Sequence, residues 1–455
     1  MVLLKPLPEP LPIAYLSFDV VPSHKGAAVH IESFVRSLAA QYGHVELVTV
    51  AAGADAPTVN WPHVTHTVLP AVGKTLIDRV IHFRKHLHQW LQGKRFEVIQ
   101  VRSIFEGLAI AKQKQQFCNA LIFEVNGLPS IELKYRYPQV AEDLELMNKL
   151  LIQERLCLEA ADIIVTPSHV TKSCLTQRGI SPQKIQVIPN GVNLSIFTHQ
   201  KPSAAPSIQS MNMLYFGTLS AWQGVDLAID ALSLYRRDFE ATLTIVGPAK
   251  GKQIAKLEKL IKKLNVTDFV TILPACPQRE LVDFMHQADV IVAPLKANDR
   301  NLVQGCCPLK VIEGMSSGTP IITTELPVVT DLGEKEQHFL AVRPGSAKAI
   351  KDGMLQLRTN AALRHHLSKQ ARQQVENKFD WAIAHHTLLT TYQQLIQRQS
   401  LVIQPPRGEQ SQTLTNQPQR SQQNQTLTNQ PPRGERSRIP GNPNPKPQLT
   451  PSPAS

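Results

Sequence analysis

The chain has 455 residues, 42% of them apolar, with six cysteines and a formal charge of +12. At about 150 residues per domain this length allows two or three domains, each with its own core, and excludes a short peptide, a fibre or a disulfide scaffold. Cys118, Cys157, Cys174, Cys276, Cys306 and Cys307 show no C-x-x-C spacing, so neither a zinc site nor a disulfide framework is indicated and a reducing, cytoplasmic setting is expected.

The amino terminus is cut by prolines at 6, 8, 10 and 12 and has no continuous apolar run of signal-peptide length. From residue 12 onward, short apolar runs alternate with longer amphipathic segments, the pattern of βαβ units around a parallel sheet. Strands are expected at IAYLSF (13–18), VELVTV (45–50), EVIQVR (97–102), ALIFEV (120–125) and DIIVTP (162–167). The first intervening helix places Ile31, Phe34, Val35 and Leu38 at i, i+3, i+4 and i+7. A polar, proline-containing stretch at 199–212 interrupts the pattern. A second series follows, NMLYFG (212–217), ATLTIVG (241–247), FVTIL (269–273), DVIVAPL (289–295) and TPIITT (319–324).

These segments predict an α/β protein of two Rossmann-like, doubly wound domains facing across a cleft, residues 1–198 and 199–378, with a closing helix at 379–398. Residues 399–455 repeat PPRGE and QTLTNQP with few large apolar side chains, which predicts a disordered low-complexity tail. No stretch reaches the ~18 apolar residues needed to span a bilayer. The basic excess suits a phosphate-bearing ligand, with peripheral contact to an anionic membrane at its inner face as an additional expectation. No run of basic and aromatic residues favours nucleic acid.

The most informative stretch is NLVQGCCPLKVIEGMSSGTPIITT, residues 301–324. A loop through Gly305, Cys306, Cys307 and Pro308 runs into a helix beginning near Leu309 and bearing Lys310 and Glu313. Unpaired amides at such a helix start, together with the positive end of its dipole, suit a diphosphate. Lys310 adds charge, and Glu313, three residues on, can accept hydrogen bonds from a ribose diol; a plain i,i+3 surface pair is the alternative. Cys306 and Cys307 have no resolving thiol or metal spacing and read as loop packing. No carboxylate pair with metal-ligand spacing stands out, so neither metal nor cofactor is expected.

This stretch resembles the donor-site signature of family 4 nucleotide-sugar glycosyltransferases, retaining enzymes of the GT-B fold. SHKGAAVHIESFVRSLA (23–39), VIPNGVN (187–193), YFGTLSAWQGVDLAIDAL (215–232) and HQADVIVAPL (286–295) follow in the family's order. The resemblance implies a sugar nucleotide held mostly by the second domain and an acceptor mostly by the first. Gly26 then lets backbone approach the diphosphate, with Lys25 beside it and Gly217 at the mouth of the second domain's first strand. Three departures are present: Thr218 and Gln223 stand where the family usually has Arg and Lys, and Gly305 where it has the first of two glutamates. Lys310 and Arg300 are the expected compensating cations. His30, and more weakly His24, are candidates to contact sugar or acceptor, and Arg102, Glu124 and Asn126, with Gly127 beside them, lie at strand ends suited to the acceptor. The expected activity is hexosyl transfer from a nucleotide-diphosphate sugar to a hydroxyl in glycan, exopolysaccharide or glycolipid synthesis. A silent nucleotide-binding scaffold and a nucleotide-sugar epimerase are the alternatives.

Overall fold

The structure is a computed structural model that describes residues 11–23, 25–51, 57–248 and 251–403. His24 and the expected tail from 404 onward lie outside the described residues.

Two all-parallel sheets organise the chain. The first contains β1 (Ile13–Leu16), β2 (Val45–Val50), β3 (Val64–Leu69), β4 (Phe96–Val101), β5 (Cys118–Glu124), β6 (Ile163–Thr166) and β7 (Ile185–Val187), in the order β3-β2-β1-β4-β5-β6-β7. The second contains β8 (Ser210–Phe216), β9 (Glu240–Val246), β10 (Val270–Leu273), β11 (Val290–Ala293), β12 (Ile321–Thr324) and β13 (Leu340–Val342), in the order β10-β9-β8-β11-β12-β13. Strands β3, β7 and β13 were not among the expected ones. β3 is mostly half-exposed and the other two are three residues long, so none carries the dense apolar run of a central strand.

Side chains alternate across each sheet, which divides its core into two layers. In the first sheet Ala14, Leu16, Val48 and Ile99 face one layer, while Ile13, Tyr15, Leu47 and Val98 face the other. The first helix, Gly26–Tyr42, covers that second layer with Ile31, Phe34, Val35 and Leu38, all fully buried. The last helix, Trp381–Ile403, joins it: Leu388, Tyr392 and Leu395 pack into the first lobe although they follow the second in sequence. No helix among the described residues is long and apolar enough to cross a membrane.

In each sheet the chain reverses direction of winding at a central pair, β1/β4 in the first and β8/β11 in the second. The carboxyl ends of strands at such a reversal leave a crevice that no crossover covers. Arg102 follows β4 and Gly217 follows β8, and both residues line one cleft of about 770 Å³ between the lobes.

Candidate active site in the interlobe cleft

Two helix starts meet across this cleft. On the first lobe, Lys25 caps the Gly26–Tyr42 helix with extended backbone and no side-chain bond, and its carbonyl accepts from the amides of Ala28 and Val29. On the second, Pro308 precedes the Leu309–Ser317 helix, again without a side-chain cap. The first amides of both helices therefore remain for a ligand, at the positive ends of both dipoles. The approach is close: a Cβ on Gly26 would stand 2.7 Å from Leu309 Cδ1.

Lys310 is the second residue of the second of these helices and is buried. Its ammonium donates to Tyr215 Oη at 2.8 Å and sits 4.1 Å from that ring's centroid, instead of forming a surface pair with Glu313. Burial pushes Lys310 down to about 7 against the opposing pull of Glu313. Burial likewise pushes Glu313 up to about 7, opposed by Lys310 and by a hydrogen bond with Gln278. Without a ligand, the cleft thus disfavours both charges. Gly217 has φ +110°, and a Cβ there would be 3.2 Å from Lys310 Cε, so the lysine runs along bare backbone. Thr218 and Gln223 line the cleft. Gln223 Oε1 and, on the opposite wall, Ser23 Oγ are buried with no hydrogen-bond partner.

The first lobe contributes Lys25, Gly26, His30, Arg102 and Asn126 to the lining. His30 Nδ1 is 2.8 Å from Asn190 Oδ1 and Nε2 is 2.9 Å from Glu124 Oε1, so both ring nitrogens already face protein oxygens. Asn190 Nδ2 donates to the Cys307 carbonyl at 2.9 Å, which ties this histidine to the loop of the other lobe. Cys306 and Cys307 both line the cleft, and burial raises both thiols, so they pack as small apolar groups there.

Two expected site residues are corrected by their placement. Glu124 does not line the cleft but lies beneath its floor, 1% exposed. Its carboxylate accepts from Tyr15 Oη (2.6 Å), Gln100 Nε2 (2.5 Å), Arg102 Nε (3.0 Å) and Asn126 Nδ2. Burial alone would raise this carboxyl, but His30 and Arg102 outweigh it and hold it well below the usual carboxylate range. A carboxylate so committed orients Arg102 and Asn126 and has no lone pair to spare for an acceptor. Gly305 is also absent from the lining. It has φ +85°, and a Cβ there would be 2.5 Å from Thr171 N and 2.8 Å from Ser168 Oγ, so the residue is spent on contact with the first lobe.

Asn190, Gly247, Gln278 and Arg279 line the cleft without having been singled out from the sequence. Gly247 carries a readable signal, a glycine at the carboxyl end of a strand. A Cβ there would be 2.0 Å from the Gly217 carbonyl oxygen. Among the described residues no three His, Cys, Asp or Glu gather as a metal site.

Both lobes match known family models, Glycosyltransferase Family 4 over residues 24–196 and Glycosyl transferases group 1 over 202–374. The chain belongs to the family 4 glycosyltransferases. A D-inositol 3-phosphate glycosyltransferase from Pseudarthrobacter chlorophenolicus is 23% identical over 320 residues, covering 66% of this chain and 74% of that one. Among solved structures, sucrose-phosphate synthase from Thermosynechococcus elongatus superposes with TM-score 0.70 at 21% identity, over 85% of this chain and all of the other. HepE of Anabaena, in complex with UDP and glucose, gives 0.65 at 15% identity over 84% of this chain and all of its own. These likenesses establish the GT-B fold. In this family 4 glycosyltransferase, Lys310 lies against Gly217, and Arg300 lines the cleft with its guanidinium carbon 5.9 Å from the Trp222 centroid.

Proposed function

We infer that this glycosyltransferase moves a sugar, with retention of anomeric configuration, from a nucleotide-diphosphate sugar to a hydroxyl acceptor. The observation that carries the reading is the convergence of two uncapped helix starts with Lys310 and Glu313 on one cleft. The diphosphate lies between the helix starts, where amides and Lys310 stabilise the charge that grows as the anomeric bond breaks. Glu313 accepts from the ribose and so fixes the sugar over the first-lobe wall. The departing phosphate oxygen takes the acceptor's proton on the face it leaves, and the nucleoside diphosphate is the leaving group. Gln223 Oε1 and Ser23 Oγ, unpartnered in the free cleft, are open to ligand groups. HepE's complex with UDP-glucose supports a UDP-sugar as the first donor to test.

The test is a thermal-shift and turnover screen of purified protein against UDP-, GDP- and ADP-sugars. Lys310→Ala and Glu313→Ala are each expected to lower donor turnover at least tenfold. Variants that turn over like wild type would remove the donor-site reading. Thr218, Gln223 and the loss of position 305 to the lobe contact motivate a second reading, a nucleotide-binding scaffold without transfer. A scaffold is stabilised by a nucleoside diphosphate yet releases none from a sugar nucleotide in the presence of acceptor.

A further inference from the structure

Arg300 reaches the cleft from a tight turn, Arg300–Gln304, and what holds its guanidinium is a residue of the opposite lobe. Glu132, in the Pro129–Arg136 helix, accepts from Arg300 Nε at 2.8 Å and from Gln304 Nε2 at 2.8 Å. Gln304 is fully buried, and its Oε1 accepts from the Leu128 amide at 2.9 Å, just before the same helix. Beside these contacts, Asp299 is met by Lys134 and by Tyr135, also from that helix. Glu132 itself does not line the cleft. Room for its carboxylate is made by Gly127, where a Cβ would stand 2.7 Å from Cδ and from both carboxylate oxygens.

An arginine has a long side chain with many rotamers, so its guanidinium is placed only by what it bonds to. Glu132 takes Nε, while Nη1 donates to Asn301 Oδ1 at 3.3 Å and to Cys306 Sγ at 3.5 Å; together they fix the plane of the fork and leave Nη2 for a phosphate. We propose that Glu132 is a positioning residue for donor binding: from the first lobe it sets Arg300 of the second, so that this cation is in place only while the lobes are closed. The proposal rests on the donor-site reading given above, and it assigns a role to a residue that would touch neither sugar nor nucleotide.

Glu132 can also act in the opposite sense, by screening Arg300. Removing the carboxylate would then tighten binding of a diphosphate. The two senses separate in calorimetric titrations of the full chain with UDP, GDP and ADP, accompanied by the donor KM and kcat where turnover is found. Glu132→Ala is expected to raise the nucleoside diphosphate Kd at least fivefold and the donor KM similarly, and Arg300→Ala in that background is expected to add less than twofold. Gly127→Ala keeps the charge but displaces the carboxylate, so it should reproduce the effect, and the Gly127→Ala/Glu132→Ala pair should be no worse than Glu132→Ala alone. Glu132→Gln, isosteric and still able to accept both bonds, covers the case in which the alanine variant does not fold, with an expected twofold to fivefold rise in Kd. Unchanged or tighter binding in Glu132→Ala or Glu132→Gln, or additive effects in the Gly127 pair, would overturn the proposal. A wild-type chain that binds a nucleoside diphosphate but transfers no sugar removes only the transferase reading. One that binds none of the three removes both.

Discussion

Lys310 and Glu313 are poised against their own burial. Each is pushed toward its neutral form, and each sits where a ligand of opposite or hydrogen-bonding character would restore the charge. A diphosphate against the Lys310 ammonium raises the lysine's value above the 7 or so of the free cleft, and by linkage binding then takes up a proton in the window above pH 7. The lysine's contribution to affinity is therefore complete below about pH 7 and declines as pH rises through the free-protein value, while the contribution of Glu313, raised to about 7, runs the opposite way. Calorimetry of a sugar nucleotide at pH 8, in two buffers of different ionisation enthalpy, should show net proton uptake that disappears in Lys310→Met. A sugar nucleotide serves better than a nucleoside diphosphate because its diester phosphates do not titrate near 7. Glu124 shows the contrary arrangement: four hydrogen-bond donors and His30 keep it ionised, which makes it a fixed anchor for Arg102 and Asn126.

At the scale of elements, the segment from Asp299 to Pro308 works as a bridge between the lobes. It is gripped by the Pro129–Arg136 helix, by the start of the His169–Gln177 helix and by Asn190, and it leads directly into the helix bearing Lys310. Gly305 sits against Thr171 and Ser168 of the first lobe, so a glutamate, usual for the family at that place, is incompatible with this chain's lobe contact. Any side chain at 305 meets a positive φ, the Thr171 amide and the hydroxyls of Thr171 and Ser168. Gly305→Ala is accordingly expected to cost about 1–3 kcal/mol, visible as a lowered denaturation midpoint, and to reduce donor affinity as well. Installing the family's residue with Gly305→Glu should do greater harm and restore nothing; a gain in turnover would show that the lobes separate enough in the working enzyme to admit it.

At the scale of the molecule, the last helix ties the chain's two halves together. It leaves the second lobe at Asp380, where Val192 pairs with that residue, and returns Leu388, Tyr392 and Leu395 to the first lobe's core. Tyr392 Oη also donates to Gln100 Oε1 at 2.6 Å, and Gln100 in turn holds Glu124, so the helix reaches the cleft floor through two hydrogen bonds. Leu388 is fully buried, and Leu388→Ala should destabilise the protein by about 2–5 kcal/mol in chemical denaturation. A first lobe that is unaffected by this substitution would mean that the helix merely rests on it.

Much of this architecture is legible from periodicity. Ten of the strands follow from dense apolar runs, and the first helix from the spacing of Ile31, Phe34, Val35 and Leu38. Motif order points to the family, and the start of the Leu309–Ser317 helix to the cleft, because chain-local amides, glycines and charges carry that information in adjacent letters. The edge strands β3, β7 and β13 escaped because half-exposed or three-residue strands leave too little apolar pattern to read. The fates of Glu124, Gly305 and Glu132 depend on partners 22 to 172 residues away in the chain, across a sheet or across the lobe interface. A carboxylate at a strand end reads the same whether it faces ligand or is consumed by an arginine behind it. Burial and distance make that choice, and they arise only once the first sheet has assembled around Glu124 and, for Gly305 and Glu132, once the two lobes have closed on each other.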